Sequence, residues 1–170
     1  LGSGQNYYLY EIDGRFTIIP WDLNEAFGVF HCGLERNNLI NFYVDEPTAG
    51  SMSGRPLIAK LLSHDPYLEI YHRYLWEMLG GPFNPDNIDT RVDQLAGLVA
   101  KISQNVQDVE IRRVSEMDYD LEASPYKDPP SVVELKTFLS KRADSVHNQL
   151  LGKLPRSANG NGNGAVSAMC

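Results

Sequence analysis

NYYLYEIDGRFTIIPWDLNEAFG, residues 6–28, decides how this chain is read. Tyr7 to Ile12 and Arg15 to Pro20 are rich in aromatic and β-branched residues, and Asp13-Gly14 between them is among the strongest short hairpin signals. A strand, a turn and a second strand are expected. In an antiparallel ribbon the residue entering the first strand lies beside the residue leaving the second, so Asn6 and Asp22 are expected to be neighbours at its open end. Two registers stay open. A strict two-residue turn pairs Ile12 with Arg15 and sends Asp22 nominally to the face opposite Asn6. A type I turn followed by a bulge at Gly14 pairs Glu11 with Arg15, sets Asn6 opposite Pro20 and returns Asp22 to the face of Asn6. The second is preferred, because glycine then carries the positive φ. Pro20 supplies no ladder donor, so pairing should fail near it and leave Asp22 at a strand end. An amide oxygen and a carboxylate converging there suit a hard divalent cation.

At these residues the chain resembles the CotH (spore-coat protein H) family of atypical protein kinases: NYYLY followed by IPWDL and FG is similar to that family's central signature. The resemblance runs from Leu1 to about Leu150, strongest up to Gly28 and continued by a matching order of helices. It implies an α+β fold, the kinase-like C-terminal lobe, in which a β-hairpin packs on a mostly helical bundle over residues 1–154. It further implies that Asn6 and Asp22 hold Mg²⁺ or Mn²⁺ bridging the phosphates of ATP, and that the γ-phosphoryl group passes to a hydroxyl of a protein substrate. Asn24 stands where the family signature WDLD has a second Asp, and is a weaker candidate for binding the nucleotide–metal group, through a metal-bound water. Gln5 replaces a frequent His. The family's catalytic Asp lies a few residues before the Asn; no Asp or Glu occurs before Asn6, so that residue, the nucleotide-gripping Lys and the N-terminal lobe are expected upstream of Leu1. By the same resemblance, the spore coat or the cell surface is the suggested location. The departure at Asn24 also supports a reading from another class, a catalytically inactive binding or adhesion module on a kinase-like fold.

Residue types alone offer plainer roles. Asp22 and Glu25 have the spacing of a capping box, and Asn6 suits a turn in which its side chain bonds nearby backbone. The hairpin aromatics Tyr7, Tyr8, Tyr10 and Phe16 read as packing, with one face buried and the other partly wet, and Trp21 reads as core beneath the site. Neither Cys32 nor Cys170 has the companions a zinc site requires, and both read as free thiols. His31, His64, His72 and His147 form no metal-binding pair. Gly2-Ser3-Gly4 lacks the GK[ST] of a phosphate-binding loop.

Composition bounds the function classes. In 170 residues, 42% hydrophobic and 22% charged, one domain with a real core is affordable. Fifteen Lys and Arg against 22 Asp and Glu give a net charge of −7. The basic residues are scattered, which argues against nucleic acid as a partner. No apolar run is long enough to span a bilayer, and no signal-peptide pattern follows Leu1.

Beyond the hairpin, residues 29–55 read as a long irregular loop of the kind that is often functional, placed where kinases keep an activation or substrate-binding segment. Arg55, at its end, reads as surface solvation before phosphate contact. Arg55-Pro56 leads into a helix over 57–63. Asp65-Pro66 supplies a cap and a first-turn proline for a helix reaching Leu79 before Gly80-Gly81-Pro82 stops it, and Asn84-Pro85 opens another through Ile102, the last two packed antiparallel. Tyr67, Tyr71, Tyr74 and Met78 are expected to form a buried stripe with Leu68, Leu75 and Leu79. Residues 104–130 are ambiguous, and Asp118, Asp120 and Glu122 read as a solvated turn. A capping box of Ser131 and Glu134 opens the final helix, lined by Leu135, Phe138, Leu139, Arg142, Val146 and Leu150 and closed by Gly152. Residues 155–170, with alternating Asn and Gly, are expected to be a disordered tail or linker.

Overall fold

The structure, a computed structural model, describes residues 7–21, 23, 26–27, 36–106 and 132–163. Among them the fold is α+β, one antiparallel hairpin and five α-helices. Strands β1 (Tyr7–Ile12) and β2 (Arg15–Pro20) are followed by α1 (Arg36–Ile40), a 3-10 turn (Met52–Gly54), α2 (Pro56–Leu62), α3 (Asp65–Gly80), α4 (Pro85–Val106) and α5 (Val132–Leu150). The capping box of Asp22 with Glu25, Ser131 of the second box, His31, both cysteines and the acidic run at 118–122 lie outside the described residues.

The hairpin register corrects the preferred expectation. Ile12 pairs with Arg15 and Tyr7 with Pro20, so Pro20 does not face Asn6. The reason lies in the turn: Asp13 (φ 50°) and Gly14 (φ 74°) are both left-handed, the two-residue primed turn whose twist matches the strands, and Asp tolerates its share of the strain. The Glu11 carboxylate accepts the Gly14 N–H and ties the turn. β2 ends at Pro20, as its missing donor requires. Alternation does not bury one face here: Tyr8, Tyr10, Ile12, Phe16 and Ile18 all stay largely exposed among the described residues. Trp21, expected in the core, is 48% exposed and stacks on Tyr8 with ring centroids 5.9 Å apart.

Proline and glycine punctuate the helices as the sequence implies. Pro56 and Pro66 sit in the first turns of α2 and α3, where a missing N–H costs nothing. Gly81 ends α3, with its N–H on the Met78 carbonyl. His64, rather than Asp65, occupies the α3 cap position, without a side-chain cap bond. At the end of α5, Gly152 (φ 72°) lets Lys153 and Leu154 N–H return to the Asn148 carbonyl. The packing differs in one respect: α4 lies mainly against α5, and α3 packs on α5 as well. This rotates the buried face of α3. Leu68, Tyr71, His72, Leu75 and Leu79 are sheltered, while Tyr67, Tyr74 and Met78 of the expected stripe are exposed.

The core forms where α5 meets the segment between α1 and α2. Phe138, Leu139, Ala143 and Val146 of α5 are buried, together with Ile88 of α4 and with Val44 and Met52 of the loop. Burying a side chain such as Phe138 or Val146 contributes about 1.5–3 kcal/mol. The polar positions 142, 145 and 149 follow the same helical face. Gln149 Oε1 accepts the Val44 N–H at 3.0 Å, while its Nε2 donates to the Phe42 carbonyl at 3.2 Å and to Ser145 Oγ at 3.1 Å. Ser145 in turn bonds Asn41 Oδ1, and Arg142 donates to the carbonyls of Ile40 and Phe42. Buried backbone groups of an irregular loop thus find their partners on a helix.

Residues 155–163 form a strap; residues 164–170 lie outside the described ones. This strap runs along residues 43–52. Asp45 N–H donates to the Arg156 carbonyl, Met52 N–H to the Gly160 carbonyl and Asn163 N–H to the Thr48 carbonyl, each at 3.0 Å. Glu46, 6% exposed, accepts Gly160 N–H on Oε1 at 2.7 Å and Gly162 N–H on Oε2 at 2.8 Å. Two charge-assisted bonds, each worth about 1.5–3 kcal/mol, offset the backbone ordering that composition alone cannot. Left-handed Asn159, Gly160 and Gly162 present those N–H groups.

Candidate metal site at the hairpin mouth

The open end of the ribbon is the Tyr7–Pro20 pair. Asn6 immediately precedes it in sequence, and Asp22 follows Trp21. The candidates Asn6, Asp22 and Asn24 themselves lie outside the described residues. The described neighbours show how the chain turns there: Ala26 N–H donates to the Leu23 carbonyl at 3.0 Å and Phe27 is left-handed at φ 60°. The stacked Tyr8 and Trp21 join the two strands beside the mouth. Asn6 and Asp22 bring hard oxygen donors, one amide and one carboxylate, which fit Mg²⁺ or Mn²⁺ in chemistry. Among the described residues, no group of three or more His, Cys, Asp or Glu side chains is placed to hold a metal.

A second polar centre was not anticipated. Asp45 Oδ1 lies 2.6 Å from His72 Nε2 of α3, and its Oδ2 lies 3.4 Å from Arg156 Nε of the strap. One carboxylate therefore joins the loop, α3 and the strap. Beside it, burial raises the Tyr71 phenol above its ordinary 10; the Arg142 cation pulls it back and Asp45 pushes it further up. Burial also lowers the Arg142 guanidinium to about 10, with Tyr71 opposing, so Arg142 remains cationic at neutral pH. The two bonds that Arg142 donates to loop carbonyls make this centre a brace for residues 40–45. Its only sequence signals were a lone His and a lone Asp far apart in the chain, which carry no spacing to read. Arg55, half-buried, donates to the Gly54 carbonyl at 3.0 Å.

The described residues contain no helix long and apolar enough to cross a membrane. No curated protein and no solved structure matches the chain. The sequence model of the family described as CotH kinase protein matches residues 2–146, which takes in the hairpin, its mouth and the helices up to most of α5. This chain belongs to the CotH kinase protein family.

Proposed function

We propose that this chain supplies the metal-binding half of an ATP-dependent phosphotransferase that modifies hydroxyl groups of a protein substrate. The observation that carries the reading is the family match across residues 2–146, together with a hairpin whose paired end lies between Asn6 and Asp22 in sequence. Asn6 and Asp22 are the ligands in this reading. Asn24 would add its amide to the group that holds the metal and nucleotide. Mg²⁺ or Mn²⁺ bound there would neutralise charge developing on the γ-phosphoryl oxygens. Residues 1–154 act as the C-terminal lobe, and the Asp that orients the acceptor hydroxyl is contributed from before Leu1, with the nucleotide-gripping lobe. The Asp45–His72 brace and the strap hold the loop after the mouth, where a kinase-like fold receives its substrate.

The test is transfer of labelled γ-phosphate from ATP to a mixed protein acceptor by the full-length protein carrying Asp22→Ala. Loss of transfer with an unchanged circular dichroism spectrum supports the assignment; unchanged transfer rejects it. The Asn at position 24, in place of a carboxylate, specifically favours one other reading, a catalytically inactive surface module. A Mg²⁺-dependent thermal shift with ATP distinguishes the two, since a module without nucleotide binding gives none.

A further inference from the structure

The strap contains Asn159-Gly160 and Asn161-Gly162, and Asn163 is followed by Gly164 in sequence. Asn-Gly pairs are prone to deamidation, because glycine has no Cβ to keep its backbone nitrogen from the preceding side-chain amide. In this fold both described glycine nitrogens are occupied. Gly160 N–H and Gly162 N–H each donate to one oxygen of the buried Glu46 carboxylate. Attack requires that nitrogen to give up its proton and turn its electron pair toward the Asn Cγ. Building negative charge there, against a carboxylate 2.8 Å away, is disfavoured. Geometry adds a second restraint. Asn161 Nδ2 donates to the Ala158 carbonyl at 2.8 Å. Gly162 is buried at φ 66°, where even a Cβ would collide with the Gly50 carbonyl.

We propose that Asn161 is a modification site kept silent by the Glu46 clasp, and that undocking of the strap allows a deamidation after which it cannot dock again. In the undocked chain, Gly162 N bonds to Asn161 Cγ and the Cγ–Nδ2 bond breaks. The side-chain nitrogen leaves as ammonia with the proton from Gly162 N, and a cyclic imide remains. Water opens the imide at Cγ to give Asp, or at the backbone carbonyl to give isoaspartate with one extra methylene in the main chain. No electron is gained or lost. Isoaspartate lengthens the chain directly before a glycine that has no slack against Gly50 and Thr48. Asp sets a carboxylate oxygen against the Ala158 carbonyl, where an N–H had donated. Release of the strap removes the Arg156, Gly160 and Asn163 bonds that cover residues 45–52.

The experiment incubates the full chain at neutral pH in buffer and in urea, alongside Glu46→Gln. Deamidation at each Asn is read by mass spectrometry of the tryptic peptide that begins at Ser157, and isoaspartate by enzymatic methylation. The folded chain is expected to react at Asn161 at least about tenfold more slowly than the chain in urea, the protection of about one charge-assisted bond. Glu46→Gln, whose amide can accept only one of the two N–H groups, is expected to approach the urea rate, with Asn159 following. Asn161→Asp, mimicking one product, is expected to be cut by trypsin after Arg156 at least about tenfold faster than the unmodified chain. A folded chain reacting at the urea rate overturns the proposal. So does a folded Glu46→Gln that reacts as slowly as the parent, or Asn161→Asp cut no faster than the parent. Should Glu46→Gln not fold, the buffer-against-urea comparison and Asn161→Asp decide the matter.

Discussion

Gln149 is 1% exposed and holds the loop to α5 through both ends of its amide. Gln149→Leu keeps the side chain's approximate volume but removes one acceptor and two donated bonds. The Phe42 carbonyl retains its bond from Arg142 at 2.6 Å, so it is not orphaned. The Val44 N–H donates to Gln149 Oε1, and Val44 itself is 2% exposed. An orphaned buried donor costs about 2 kcal/mol, and the two lost donations at least about 0.5 kcal/mol each, for an expected loss of at least about 3 kcal/mol. For a chain of this size that is a Tm lower by about 6–12 °C. Gln149→Glu supplies the control, because its carboxylate still accepts from Val44 while losing both donations. Equilibrium urea unfolding followed by far-ultraviolet circular dichroism measures both variants. A Gln149→Leu loss below about 1 kcal/mol would refute the reasoning, for the loop would then find its hydrogen bonds elsewhere.

Other perturbations probe separate parts of the fold. Phe138→Ala opens a cavity in the α5 core and is expected to cost about 3–5 kcal/mol in the same unfolding assay. Gly14→Ala meets no neighbouring atom but must adopt φ 74°, so the hairpin should lose about 1–2 kcal/mol, read as weakened cross-strand NMR contacts between Tyr7 and Pro20. Because the folded Tyr71 phenol ionises above its ordinary 10, the unfolded chain releases that proton first, and the associated stability, complete below pH 10, is lost as pH rises toward the folded value. Tyr71→Phe should therefore show a shallower decline in stability above pH 10 than the parent chain; an identical decline would contradict the burial of this phenol.

Local signals were legible and long-range ones were not. Asp13-Gly14 announced its turn because both residues answer to their own dihedral angles, and Pro56, Pro66, Gly81 and Gly152 bounded helices for equally local reasons. The register was misjudged because positive φ was assigned to glycine alone, while Asp13 shares it. On α3 the periodicity was correct but its phase was not. The partner helix α5 favours His72 and Leu75 over Tyr67 and Tyr74, and no pattern within α3 encodes where a partner will sit. The strap was the least legible element. Its Asn and Gly residues bury little by themselves, and the carboxylate that orders them, Glu46, is more than a hundred positions away. The family was recognisable from the hairpin signature, whose residues cluster within one short stretch. The Asp45–His72–Arg156 centre exists only after three separate segments meet.

The most direct test of the account is the uptake of Mn²⁺ in the presence of ATP, followed by electron paramagnetic resonance on the full-length protein and on its Asn6→Ala and Asp22→Ala variants. Metal binding by Asn6 and Asp22 predicts a protein-bound Mn²⁺–ATP signal in the parent that is lost in Asp22→Ala and reduced in Asn6→Ala, with all three proteins equally folded. Equal uptake by the three would contradict it.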